Sequence, residues 1–235
     1  MVTANSSPQR LRPDDVFFPA MALLILGVVV LGFWQSYFVA GMVRAKLPNS
    51  LVHIHGALFV FWIFFLIIQT SLVAIGKVRW HMTLGICGVI LPPLMIVLGV
   101  LTLFDSIRRN GTGLPPELLL VGDLANLAVF AVLIGWALFM RRKSAYHKRL
   151  MILGTMAILG PAIDRWPIPH TIFGTLAIIL GLPLLVIAYD LFSTRHVHRS
   201  TAVGSAMIAA VVLTILPVSH LQIWQQVITW IRHTR

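Results

Sequence analysis

The chain has 235 residues, 58% of them hydrophobic and 11% charged, a balance that excludes an ordinary soluble domain, which needs charge to cover its surface. The formal charge of +11 sits in short Lys/Arg clusters between apolar runs, which excludes a nucleic-acid-binding face and points to topology signals and anionic lipid headgroups. The single cysteine, Cys87, lies inside an apolar run and excludes an intrachain disulfide or a cysteine-based metal motif.

From the N-terminus, MVTANSSPQRLRPDDVFF places Arg10 and Arg12 ahead of an apolar run from about Phe17 to Ala40. That run is too long for a signal-peptide core and lacks a small-residue cleavage pattern, so it reads as a retained first span behind a cytoplasmic tail, residues 1–15. Seven spans are predicted in all, at roughly 17–40, 52–75, 82–104, 117–140, 148–163, 169–191 and 202–219. The fifth is short, and Pro217 interrupts the seventh. No linker or low-complexity tract separates them, so residues 1–235 form a single domain: an all-α, polytopic transmembrane helix bundle. In the last stretch, 220–235, Trp224, Val227, Ile228 and Ile231 recur opposite Gln222, Gln225 and Gln226. This spacing predicts an amphipathic interfacial helix or the continuation of a kinked seventh span.

An N-in, C-out arrangement puts eleven Lys or Arg inside, Arg10, Arg12, Lys77, Arg79, Arg141, Arg142, Lys143, Lys148, Arg149, Arg195 and Arg199, against seven outside. That excess, led by RRKSAYHKR, predicts a multi-pass protein of the bacterial inner membrane.

Ionisable groups at the edges of spans are costly and mark candidate sites. In this arrangement His53, His55, Asp123, Asp164, Arg165, His170 and His220 gather near the outer face; His81, His147, His196, His198 and Asp190 gather near the inner one. In LVHIHG, His53 and His55 point roughly 200° apart around the helix, so they do not form one chelate. His55, Trp62 and Gln69 lie seven apart and share the face expected to look into the bundle, toward Asp123 or His170. The plain alternative for any of these histidines is an interfacial ring that hydrogen-bonds a carbonyl and headgroup water.

In the third span His81, Gly85, Gly88, Pro92, Met95 and Gly99 follow at spacings of 4, 3, 4, 3 and 4; in the sixth, His170, Gly174, Ala177 and Gly181 follow at 4, 3 and 4. Such stripes let helices approach closely. They would equally admit a flat macrocycle with histidine as its axial ligand. The fifth span carries His147, Met151, Gly154, Ile158, Pro161 and Arg165 on one stripe. Lys148 and Arg149 beside it could pair with haem propionates or quinone-like polar groups, or simply hold the loop inside. Pro92-Pro93 and Pro183 stand where a transporter's broken helices would fall. The sequence has no zinc-protease HExxH, no serine nucleophile elbow, no phosphate loop and no buried lysine in the last span.

The combination of HIHG, Trp62 and Gln69, RWHMTLG and YHKRLM resembles a widespread group of uncharacterised bacterial polytopic membrane proteins. More remotely, the R-x-H-x-x-x-G opening of the third span is similar to helix starts in cytochrome b561-type diheme proteins. That resemblance implies haem b held between helices near each face, His81 with His147 at the inner one and His55 with His170 at the outer one. It also implies electron transfer to or from a quinone or partner protein. The chain departs from the pattern by its extra helix and its HxH doublet. Two other readings stand beside it. One is a non-catalytic accessory subunit, without a cofactor, packing against a larger membrane protein or pigment complex. The other is an intramembrane enzyme holding Zn or Cu through His53, His55, Asp123, His170 and His220.

Overall fold

The structure, a computed structural model, describes residues 12–34, 38–39, 49–109, 114–166 and 172–233; His170 lies outside them. Among the described residues six helices are long and apolar enough to cross a membrane. They are α1 (Pro13–Phe33), α2 (Ser50–Ala74), α3 (Val78–Gly88) taken together with α4 (Leu91–Arg109), α5 (Pro116–Phe139), α8 (Ile172–Thr194) and α9 (Arg199–Ser219). The shorter α6 (Ser144–Ala157), α7 (Gly160–Ile163) and α10 (Ile223–His233) complete the described helices. The chain is an all-helical, multi-pass membrane protein, and exposed side chains such as Phe61, Ile68, Phe139, Phe192 and Leu213 meet lipid rather than water.

The predicted spans differ from the helices at the prolines. Pro92 and Pro93 have no N–H to offer the carbonyls of Gly88 and Val89, so the third span breaks between α3 and α4. Its first half closes with tightened bonds, Val89 N–H to the Ile86 carbonyl at 3.2 Å and Ile90 N–H to the Cys87 carbonyl at 3.3 Å. The fifth span breaks ahead of Pro161 in the same way, Leu159 N–H reaching the Met156 carbonyl at 3.1 Å before α7 begins. Pro183 and Pro217, by contrast, lie inside continuous α8 and α9. The transporter-like pairing of two broken halves is therefore not present. After α9 the chain turns, and α10 docks as a separate helix with Ile228 and Ile231 buried against Leu103, Ile107 and Leu120 of α4 and α5. This is the face that the sequence spacing marks as apolar.

The centre of the bundle is α6. Every residue from Ile152 to Ala157 is buried, against α5, α9, α1 and α8. Its neighbour α1 runs alongside α6 and α7 over its whole length. At one end Lys148 pairs with Asp14; at the other, the Trp166 Nε1–H donates to the Val28 carbonyl at 3.2 Å and Arg165 lies over the Phe33 ring. The end of the bundle where α1 starts, here the N-face, collects the start of α6, the ends of α2, α5 and α8 and the starts of α3 and α9. The opposite face collects the complementary ends, where the Asn49 side chain caps α2 and donates to Asp105 of α4 at 2.9 Å.

Close approach fixes the α1–α7 contact. A Cβ on Gly32 would run into the backbone carbonyl of Ala162, whereas one on Gly27 would meet nothing within 4 Å. Gly32→Ala is expected to destabilise the protein by about 1–3 kcal/mol through overpacking. Gly27→Ala should leave the thermal unfolding midpoint in detergent unchanged, and equal midpoints for both variants would contradict this packing.

Candidate functional site

Two polar clusters stand out, one at each face. On the N-face, Asp190 of α8 is fully buried and takes four hydrogen bonds. Arg149 gives two to Oδ1, from Nε at 2.8 Å and Nη2 at 2.6 Å; the Thr201 hydroxyl at 2.6 Å and the His198 backbone N–H at 3.0 Å reach Oδ2. Arg149, also buried, gives its remaining Nη1 to the Ala145 carbonyl at 2.9 Å. Neighbouring Asp14 pairs with Lys148 and accepts from the Tyr189 hydroxyl at 2.6 Å. Lys148 and Arg149 thus each pair with a carboxylate of the protein itself. Sequence reading missed this seam because Arg149 sits in a run of loop cations. The available signal was Asp190, a carboxylate in an apolar run that must find a partner.

Beside the seam, His81 of α3 and His147 of α6 face each other with ring centroids 6.2 Å apart and planes at 74°. The His147 Nδ1 lies 2.9 Å from the Ala137 carbonyl, so it carries the proton, and Nε2 is left with its lone pair. The His81 ring lies against the backbone of Gln69, and both side-chain amide atoms of the buried Gln69 are without a hydrogen bond. Two imidazoles sharing one metal, each with a bond of about 2.0 Å, would have centroids about 6 Å apart, close to the separation of this pair. The glycines divide. Gly85, one turn beyond His81, is open on its Cβ side, but Gly88 is covered by the Phe65 ring, Gly99 by Leu127 and Gly154 by Ile134 and Leu133. Those three serve helix packing; Gly85, and Gly181 on the α8 stripe, are open on their Cβ side.

On the opposite face, His55 lines a cavity of about 820 Å³ together with Asp123, Asn126 and Arg165. The cavity deepens to Trp62, whose Nε1–H donates to the Thr155 hydroxyl of α6 at 3.1 Å. Trp62 and Gln69 are buried and His55 partly so, while His53 is exposed, in line with the face predicted from their spacing. Of the five residues proposed for Zn or Cu, His55 and Asp123 share the cavity, His53 and His220 are exposed, and His170 lies outside the described residues. Among the described residues no group of three His, Cys, Asp or Glu is placed to hold a metal ion. The chain matches no protein-family model, and no match to a curated protein or a solved structure accompanies it.

The N-face seam makes two predictions. Arg149→Met alone leaves a carboxylate buried without its cation and is expected to cost about 3–5 kcal/mol; pairing it with Asp190→Leu should recover much of that loss. Unfolding midpoints of the two single variants and the double variant measure the coupling, and strictly additive losses would contradict it. The second concerns His198, which caps α9 by accepting the Ser200 N–H at Nδ1, 3.2 Å away. Burial, then the nearby Arg149 guanidinium, holds the His198 imidazole below its ordinary value, so folding favours the neutral ring. The stability it contributes is therefore complete above about pH 6.5 and is lost as the pH falls through its lower folded value. Unfolding midpoints measured between pH 7.5 and 5 in detergent should decline, and His198→Asn, which keeps a capping side chain, should flatten that decline.

Proposed function

We propose that this chain is a haem b protein of the bacterial inner membrane, crossing it seven times with its N-terminus inside, that carries electrons through a centre on its N-face. The observation that supports the reading is the facing pair His81 and His147, at the separation of two axial imidazoles, with the His147 proton already fixed on Nδ1 by Ala137. Counting α6 and α7 as one crossing follows from their running alongside α1 from Asp14 to Phe33. The excess of Lys and Arg at the N-face supports the orientation.

When bound, haem b supplies a one-electron centre. Its protein surroundings follow from the geometry. His147 is held on the buried α6, which the Arg149–Asp190 pair pins to α8, so this ligand is rigid. His81 is carried on the peripheral α3, which the break before Pro92 separates from α4, and would be the second residue to hold the group. Lys77 and Arg79, flanking His81 on the first turn of α3, are the nearby cations for an anionic edge.

The visible spectrum of the full chain purified in detergent, from cells supplied with haem precursor, tests the proposal. A Soret band and a reducible alpha band are expected, both lost in His81→Ala and in His147→Ala and both kept in His53→Ala. A colourless protein, or a haem spectrum indifferent to both ligand substitutions, overturns it.

A further inference from the structure

The cavity on the opposite face is not used by the N-face centre. From its polar groups and its depth we propose that it is a binding site for a neutral, tailed aromatic dione or diol, the chemical class of the lipid quinones and quinols. The proposal rests on the cavity alone and stands whether or not the N-face pair holds haem.

Three features of the cavity carry it. The first is size and shape: about 820 Å³, within the roughly 300–1,000 Å³ of small-molecule sites, with polar residues such as His55, Asp123 and Asn126 set in a largely apolar lining. From His55 to Trp62 is seven residues of α2, about 10 Å of depth at 1.5 Å per residue, so an occupant reaches from the membrane edge toward its middle. The second is the chemistry of the lining, to which His55 and Thr102 both contribute. With the Asn126 amide they offer both donors and acceptors, which suits a head bearing carbonyls in one redox state and hydroxyls in the other. The third is charge. The cavity carries two carboxylates, Asp123 and Asp164, against the guanidinium of Arg165, a balance that works against a phosphate headgroup.

The full chain, reconstituted in phosphatidylcholine nanodiscs, should bind a decyl-tailed benzoquinone saturably, read by quenching of tryptophan emission. His55→Ala and Thr102→Val should each weaken that affinity about tenfold, the cost of losing one hydrogen bond in a desolvated site. Thr102→Val is nearly isosteric, so it keeps the test valid if the histidine variant does not fold. His53→Ala, on the exposed side of the same turn, should bind as the parent does. Quenching that never saturates, or equal affinity in the parent and both cavity variants, overturns the proposal. So does one phospholipid per chain, seen by native mass spectrometry, that the quinone does not displace. His81→Ala separates the two readings: quinone affinity retained while a haem spectrum disappears supports both, and affinity retained in a colourless parent supports this one alone.

Discussion

The structure is organised by one buried ion pair, Arg149 with Asp190. A charge in the interior of a membrane bundle has no water to retreat to, so the guanidinium must meet a carboxylate and the carboxylate must find further donors. Thr201 and the His198 backbone, both at the start of α9, supply them. One interaction thereby fixes the rotation of α6, the end of α8 and the beginning of α9. Replacement of such a pair by apolar residues often costs little, so its value lies in register: apolar helices in lipid slide and rotate readily against one another, and a polar contact satisfied in only one arrangement selects that arrangement.

The rest of the bundle is built outward from α6. A helix buried on all sides cannot be amphipathic, and its packing is specified by shape. Gly154 admits Ile134 and Leu133 of α5, and Gly204 of α9 admits Leu153. The single hydroxyl near the middle, Thr155, receives the Trp62 indole of α2. His147, one helical turn before the end of α5 in space, is held by the Ala137 carbonyl, a group freed because it lies among the last carbonyls of its helix. The facing histidines are thus a consequence of where α5 ends and how α6 is pinned.

Much of this was legible in the sequence. Length and hydropathy identify the apolar helices, and the spacing of His55, Trp62 and Gln69 identifies the inward face of α2, because period and burial are local properties. The division of the histidines between two faces follows from the alternation of spans alone. What could not be read is pairwise: that Arg149 meets Asp190 41 residues away, or that Gly88 is covered by Phe65 rather than left open. A glycine stripe looks the same in sequence whether a neighbouring helix or a cofactor fills it. The prolines misled for a related reason. Pro92 and Pro93 stand in the first turn of α4, where they part it from α3, whereas Pro183 and Pro217 are carried inside continuous helices, and membrane packing decides between these outcomes.

The two faces differ in kind, and the difference bears on what each can do. On the N-face the carboxylates Asp190 and Asp14 are each paired, with Arg149 and with Lys148, so the histidine pair sits beside a seam of matched charges. On the opposite face Asp123, Asp164 and Arg165 line a cavity whose walls are mostly apolar. Between the two lies Trp62, which lines the cavity on one side and bonds to α6 on the other. Any occupant that presses on the indole acts on the Thr155 hydroxyl, two turns along the same helix from His147. The buried helix that orders the fold thus carries both the Trp62 contact and His147.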